Sequence, residues 1–173
     1  METALMIKKA RQGDREILVQ LIMKQKEDYY KLAYVYMKNP DDAMDALEEM
    51  IVIVYDNIHR LRKEEAFYSW SKTILVNCCK KMLRKKKKLV SMEGVREQVD
   101  TSPFAHKEAQ IVLEQYLSHL NPKQKEAIIL RYYLDLDYQG IADILKIPVG
   151  TVKSRISIGL RNLKKSTGGA QFE

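Results

Sequence analysis

Residues 137–165 read DYQGIADILKIPVGTVKSRISIGLRNLKK, and this stretch decides the fold of the C-terminal part of the chain. It predicts two short helices, because the segment Ile147-Pro148-Val149-Gly150-Thr151 ends one helical pattern and starts the next. Two helices joined by so tight a turn are typical of a helix-turn-helix. In that motif the second helix packs on the first through one face and presents its other face to DNA.

The second of these helices, Val149–Lys165, divides into an apolar face and a basic, hydroxyl-bearing face. At about 100° per residue, one side collects Val152, Ile156, Gly159, Leu160 and Leu163. The other side and its flanks hold Lys153, Ser154, Ser157, Arg161, Lys164 and Lys165. Short hydroxyls beside long cations suit base edges and phosphates in a major groove. A surface helix with solvated cations could carry the same pattern, but the adjoining turn favours DNA binding.

The charge distribution indicates a polyanionic partner that is contacted at two places. The 173 residues carry a net charge of +7. Residues 57–90 hold 11 basic and 2 acidic groups, and residues 117–173 hold 9 and 5. Residues 1–56 hold 8 basic and 11 acidic groups, and residues 91–116 hold 2 and 5. Two basic zones that alternate with acidic ones suggest two contacts with nucleic acid, and a basic partner elsewhere.

Several classes of protein do not fit the sequence. There is no apolar run of about 18 residues for a membrane span, so no membrane insertion is expected. The N-terminal residues 1–16 do not form a secretory signal, and we expect a cytoplasmic protein. Cys78 and Cys79 are adjacent and cannot staple a fold, so a buried reduced pair is favoured over a vicinal redox switch.

No catalytic or metal-binding pattern is visible in the sequence. His59, His106 and His119 are scattered without ligand spacing, and there is no glycine-rich phosphate loop or nucleophile–base pair. We therefore expect no metal, no cofactor and no enzymatic activity.

The organisation along the chain predicts an all-α protein with two small helical domains joined by a linker. The predicted N-terminal helices are Thr3–Gln12, Arg15–Lys38, Asp42–Leu61 and Ala66–Lys88. The predicted C-terminal helices are Phe104–Leu120, Pro122–Leu134, Tyr138–Leu145 and Val149–Lys165. The domain boundaries that follow are an N-terminal domain over 1–89, a linker over 90–103, a helix-turn-helix domain over 104–167 and a tail over 168–173.

The longest N-terminal helix ends in a strongly basic segment, Lys80–Lys88, with seven cations in nine positions. Upstream of it lie Phe67, Tyr68 and Trp70. Cations that follow a phosphate backbone and aromatic rings that stack on bases together indicate a single-strand-binding surface. Two alternatives remain: the cations could stabilise the helix C-terminus, and Trp70 on its own fits a core position.

The third predicted helix carries an acidic face. Its carboxylates are Asp41, Asp42, Asp45, Glu48, Glu49 and Asp56. Because Asp41, Asp45 and Glu49 are spaced four apart, they lie on the same side of the helix. A metal or acid–base site could use such a cluster, but no histidine or nucleophile accompanies it. A docking face for a basic protein partner is the simpler interpretation.

Taken together, these segments resemble the extracytoplasmic-function (ECF) group of bacterial sigma-70 factors over about Met6 to Lys165. The most specific part is Leu120-Asn121-Pro122, Leu130–Tyr133, Ile141–Leu145 and Gly150–Arg155, which is similar to the promoter-reading C-terminal domain of that family. The segment Asp42–Glu49 resembles the polymerase-docking helix. Trp70, Ile74, Asn77 and Arg84 match the spacing of the helix that handles the melted promoter.

The resemblance implies a promoter-specificity factor that binds RNA polymerase core and helps to melt promoter DNA. By resemblance, the minus-thirty-five element is contacted by Tyr138, Thr151, Lys153, Ser154, Arg155, Ser157 and Arg161. The minus-ten element, including its single-stranded non-template strand, is contacted by Arg62, Lys63, Phe67, Tyr68, Trp70, Asn77, Lys80, Lys81 and Arg84. The polymerase is contacted by Asp42, Asp45, Glu48 and Glu49. An anti-sigma factor is a further implied partner.

This chain departs from the family pattern at several positions. Glu48 stands where Gln is usual, and Ile51 stands where an aromatic residue is usual. Gly140 replaces a usual Glu, and Lys146 replaces the Gly of the turn. Ile158 and Leu160 occupy positions that are often basic, so a relative's exact promoter sequence does not transfer. Two other functions stay open at this stage: a stand-alone helix-turn-helix repressor or activator, and a nucleic-acid enzyme of unknown chemistry.

Overall fold

The computed structural model describes residues 2–93, 115 and 117–166. The chain forms two compact units, Met1–Thr101 and Ser102–Glu173. Throughout the described ranges the regular structure is helical and contains no strand, which confirms the predicted all-α class.

The first unit begins with three short helices, α1 (Thr3–Arg11), α2 (Arg15–Lys24) and α3 (Lys26–Met37). The sequence predicted one continuous helix where α2 and α3 lie. The break falls at Gln25, whose φ of −118° and ψ of 30° leave the helical region. Asp14 starts α2 by accepting a hydrogen bond from the Ile17 amide at 3.1 Å. On either side of this break, α2 and α3 each bury an apolar face of their own.

Helix α4 spans Pro40–Asn57 and begins two residues before the predicted start. Asn39 is its N-cap and Pro40 its first residue, an arrangement in which the missing amide of proline costs nothing. After α4, a 3-10 turn covers Ile58–Arg60 and a second covers Glu64–Ala66. Helix α4 therefore ends four residues before its predicted end at Leu61, and the first turn occupies positions that were predicted as helix. Only the second turn overlaps the predicted loop.

Helix α5 spans Phe67–Glu93 and packs against α3 and α4 to form the core of the first unit. Between α3 and α5 the buried Tyr29 and Ser71 hydroxyls are 2.7 Å apart. The helix continues five residues beyond its predicted end, so the first four residues of the predicted linker are helical. The rest of that linker, most of the predicted helix Phe104–Leu120 and the tail beyond Ser166 lie outside the described residues.

The described part of the second unit contains α6 (Pro122–Tyr132), α7 (Tyr138–Leu145) and α8 (Val149–Ser166). Asn121 and Asp137 cap α6 and α7 through side-chain oxygens that accept backbone amides at 2.8 and 2.6 Å. The turn between α7 and α8 places Lys146 at φ 57° and ψ 46°, a left-handed conformation that costs a non-glycine residue free energy. These bounds agree with the predicted helix-turn-helix.

The axis of α8 lies close to α6 because a glycine stands at the contact. A Cβ atom added to Gly159 would meet Ile128 Cδ1 at 2.6 Å and Gln124 Cβ at 3.3 Å. Gly159 therefore has a packing role, and it fixes how α8 sits on the rest of the unit.

Candidate nucleic-acid interface and docking surface

Helix α8 presents the two faces that its sequence predicted. Val152, Ile156 and Leu163 are at most 6% exposed, and Gly159 is also buried. Leu160 is half-buried. The residues on the outward side are exposed, namely Lys153, Ser154, Ser157, Arg161, Lys164 and Lys165. The helix thus offers hydroxyls and cations to solvent along its whole described length.

Tyr138, at the start of α7, lies between two cations. The Arg131 guanidinium carbon is 5.0 Å from the centre of its ring, and the Lys153 ammonium is 5.9 Å from it. Arg131 also donates a hydrogen bond to the Leu136 carbonyl oxygen at 3.0 Å. These contacts fix the loop before α7 and bring two positive charges to one ring, which is half-buried.

A shallow groove of about 430 Å³ lies between the start of α6 and the outer face of α8. It is lined by Asn121, Lys123, Gln124, Pro148, Gly150, Thr151, Ser154, Arg155 and Ile158. Thr151, Ser154 and Arg155 were predicted from the sequence to contact DNA, Ile158 was noted only as a departure from the family pattern, and Lys123 and Gln124 were not predicted. No local sequence pattern marks Lys123 as a neighbour of α8, because this proximity depends on how two helices that are distant in sequence pack together.

In the first unit, α5 carries a polar and basic stripe. Trp70, Asn77, Lys81 and Arg84 recur at helical spacing and so lie along one side of the helix. Asn77, Lys81 and Arg84 are exposed, and Trp70 is half-buried. Lys80, next to the stripe, is half-buried with its ammonium 6.0 Å from the Tyr36 ring centre. Arg62 and Lys63 are exposed in the loop before α5.

The aromatic residues at the start of α5 do not all face outward. Phe67 is completely buried, with its ring centre 5.2 Å from that of Tyr68 and 6.3 Å from that of Trp70. The prediction that Phe67 contacts DNA is therefore wrong in this structure, because a side chain inside the core has no face free for a base. Tyr68 is half-buried and donates its hydroxyl hydrogen to the Leu21 carbonyl oxygen at 3.0 Å.

Two of the four predicted polymerase contacts form ion pairs inside the first unit. Asp42 accepts from Lys86, and Glu49 lies 3.5 Å from the Lys81 ammonium. Asp42 also belongs to the helix cap, because its amide donates to the Asn39 side-chain oxygen at 2.8 Å and its carboxylate accepts from the Asn39 amide group. With its side chain only 18% exposed, Asp42 is held within the unit.

The other two carboxylates, Asp45 and Glu48, are exposed. Glu48 borders an apolar groove of about 450 Å³ formed by α2, α3 and α4. The groove is lined by Ile22, Met23, Lys26, Glu27, Tyr29, Tyr30, Lys31, Met44, Leu47, Glu48 and Ile51. Met23 and Met44 are 53% and 48% exposed. The exposed side of α4 therefore combines acidic and apolar residues, of which only the acidic ones were predicted from the sequence.

The adjacent cysteines Cys78 and Cys79 lie inside the first unit on α5. Burial raises the pKa of the Cys78 thiol to about 11 and that of Cys79 to about 12, so both are neutral thiols near pH 7. Both side chains are buried, as the sequence predicted. Within residues 2–93 and 117–166, no three His, Cys, Asp or Glu side chains converge as a possible metal site. Among the described helices, none combines the length and apolarity that a membrane span requires.

Comparison with known proteins identifies both units. The family model described as sigma-70 region 2 matches residues 21–89, and the model described as sigma-70, region 4 matches residues 110–163. Among curated relatives, RNA polymerase sigma factor SigV of Bacillus subtilis is 33% identical over 161 residues, which cover 90% of this chain and 94% of that protein. The ECF sigma factor SigW of the same organism is 29% identical over 174 residues, covering 92% and 93%.

Among solved structures, sigma factor RpoE in complex with the anti-sigma factor NepR from Bartonella quintana is similar in fold. The TM-score is 0.68 at 24% sequence identity, and the match covers 88% of this chain and 97% of that one. The helical fold of this chain is therefore similar to one observed in a solved structure.

Proposed function

The chain belongs to the extracytoplasmic-function group of sigma-70 factors, and from this premise we propose which of its residues meet polymerase and promoter DNA. It is a promoter-specificity factor: it directs RNA polymerase to promoters and is a transcription regulator by class. The stand-alone repressor is not favoured, since residues 21–89 match a sigma region that such a repressor does not need.

The division of α8 into a buried and an exposed face is the observation that carries the proposal. Ser154, Ser157 and Arg161 point away from the core and enter the major groove of the minus-thirty-five element, accompanied by Lys153. Tyr138, Thr151 and Arg155 contact the sugar–phosphate backbone beside it. Lys123 joins them, because it lines the same groove as Thr151 and Arg155.

The stripe on α5 is assigned to the minus-ten element. Asn77, Lys80 and Arg84 follow the phosphates of the non-template strand, and the half-exposed Trp70 offers a ring edge to its bases, whereas Lys81 of the same stripe is paired with Glu49. Arg62 and Lys63 flank the position of a base that flips out of the DNA stack. The free-energy cost of unpairing this base is offset by its stacking and hydrogen bonds with the protein. Phe67 and Tyr68 support this surface from inside, because one is buried and the other is bonded to α2.

The exposed side of α4 is assigned to the polymerase. Asp45 and Glu48 supply the acidic groups, and Met44 and Ile51 supply apolar surface at the edge of the adjoining groove. A surface of this composition fits a partner helix that carries apolar anchors flanked by cations. Asp42 and Glu49 instead hold α4 against α5 through Lys86 and Lys81. This assignment revises the initial set of four carboxylates to two.

An anti-sigma protein is the second proposed partner, and the cytoplasm, where RNA polymerase acts, is the proposed location. NepR is the anti-sigma factor of the structurally similar RpoE. Because that likeness is one of fold alone, it does not identify the partner of this chain. Copurification with the chain from its own host would identify the type of partner protein.

In vitro transcription tests the proposed function. Purified protein, core polymerase from its host and a genomic fragment library are combined, and the transcript start sites are sequenced. We expect start sites that require both proteins and that share two upstream motifs at fixed spacing. A protein that instead protects duplex sites without polymerase, and supports no initiation, would be a repressor or activator.

A further inference from the structure

Ile158 is an exposed apolar side chain in the middle of the proposed DNA-facing surface. It is 43% exposed, whereas Val152 and Ile156 of the same helix are at most 3% exposed. It lies one turn after Ser154 and about one turn before Arg161, so the three share the outward side of the helix.

A single exposed isoleucine needs no explanation on most protein surfaces. The surroundings of Ile158 make it different, because it lines the same groove as Lys123 and Arg155 and is flanked by residues assigned to DNA. At a surface that is covered by DNA, an aliphatic side chain adds to the binding free energy only where the DNA itself offers an apolar group. In the major groove that group is the C5 methyl of thymine.

We propose that Ile158 is a specificity-determining residue that selects thymine in the minus-thirty-five element by packing on its C5 methyl group. The inference rests on the proposed function of α8 and deepens it. Burial of the methyl group against the isoleucine removes apolar surface of both from water, and cytosine at the same position lacks that methyl.

Ser154 restricts which bases are expected near this thymine. Its hydroxyl donates to the Gly150 carbonyl oxygen at 3.0 Å, so the hydrogen of the hydroxyl is already used within the helix. The oxygen keeps its capacity to accept a hydrogen bond. Ser154 therefore selects a base with an exocyclic amino group, adenine or cytosine, while the Arg161 guanidinium suits guanine. Ile158 lies between the two on the outward side of the helix.

The experiment removes one methyl group from the DNA and one side chain from the protein. Holoenzyme first selects active promoters from a library randomised in the minus-thirty-five element. Each thymine of the selected element, on either strand, is then replaced by deoxyuridine, which differs only by the C5 methyl. For wild-type holoenzyme we expect one position at which deoxyuridine raises the Kd for the promoter about three- to fivefold, the value for burying one methyl group.

The variant I158A, whose change lies on an exposed position, tests whether that methyl is read by Ile158. We expect I158A to bind the thymine promoter as weakly as wild type binds the deoxyuridine promoter, with no further loss on methyl removal. R161A is the matched control, because it weakens binding but keeps the methyl effect. The variant I158R should move the preference at that base pair from thymine towards guanine.

The outcomes are distinguishable. An element in which no thymine responds to methyl removal overturns the inference, and so does a methyl effect that persists unchanged in I158A. Both results leave the proposed function intact, because the selected promoters establish it separately. A library that yields no promoter dependent on the protein and polymerase overturns the proposed function and this inference with it.

Discussion

The basic residues of α5 and those of α8 differ in what they face. On α5, Lys81 and Lys86 reach carboxylates of α4, so part of the charge is neutralised within the first unit. On α8, Lys153 and Arg161 extend from a helix whose opposite side is buried, and both are exposed. Similar stretches of Lys and Arg can therefore serve two purposes. The neighbouring helix, rather than the number of cations, decides how many of them are free for a nucleic acid.

The largest expected effect tests the boundary between core and DNA surface at the start of α5. Phe67→Ala should lower the free energy of unfolding by about 3–5 kcal/mol, because it empties a fully buried aromatic site. Denaturant unfolding followed through the fluorescence of Trp70, which lies in the same unit, measures it. Tyr68→Phe, which loses only the bond to Leu21, is the control and should cost about 1 kcal/mol. If Phe67→Ala instead keeps wild-type stability and weakens single-strand binding, Phe67 belongs to the DNA-binding surface.

The next effect concerns the exposed cations of α8. Arg161→Ala should cost about 1–3 kcal/mol in promoter binding and relax the preference at one base pair, because a base contact is lost. Lys85→Ala, exposed on α5, should weaken binding equally for all sequences and reduce the salt dependence of the affinity. Titration of holoenzyme on matched and mismatched promoters at several salt concentrations separates the two. Equal, sequence-independent losses for both variants would contradict base reading by Arg161.

A smaller effect separates the free carboxylates of α4 from the paired ones. Asp45→Lys should weaken binding to core polymerase roughly tenfold, about 1.4 kcal/mol, because it reverses a charge on the docking surface. Asp42→Asn should leave that affinity near wild type and lower stability by about 1 kcal/mol, since it removes the pair with Lys86 and weakens the cap. Competition binding to core polymerase compares them. If Asp42→Asn is the more damaging change, Asp42 is itself a polymerase contact.

The smallest effect concerns the turn that orients α8. Lys146→Gly should stabilise the second unit by about 0.5–1 kcal/mol, because glycine adopts the left-handed conformation without the steric cost of a side chain. Hydrogen exchange of the α7 and α8 amides reports on this unit alone. Promoter selection should not change, because Lys146 lies outside the outward face of α8. Faster exchange in the variant would mean that the Lys146 side chain stabilises the turn.

Much of the second unit could be predicted without a structure. The caps Asn121 and Asp137, the turn before Pro148 and the apolar positions of α8 are all local patterns, and the helices begin and end close to the predicted residues. The part that was missed is the groove beside α8. Lys123 reaches it only because α6 packs on α8 at Gly159, and no local pattern encodes that approach.

The first unit was harder to predict in detail. Its helices and its acidic and basic segments follow from composition and spacing, but the break at Gln25 does not, because residues on both sides of it have good helical patterns. The apolar groove was missed for a similar reason. Met23 and Met44 belong to different helices, and each alone resembles an ordinary core residue.

Local periodicity was therefore sufficient for the helical class, the helix-turn-helix and the inner and outer faces of α8, because each depends on residues within a few positions of one another. Tertiary packing decided which of those side chains remain available. Phe67 enters the core, Asp42 meets Lys86 across 44 positions of sequence, and Ile158 is left exposed beside Lys123. The physical reason is that burial and charge pairing depend on distances in space between helices, and these distances are fixed only when the helices pack.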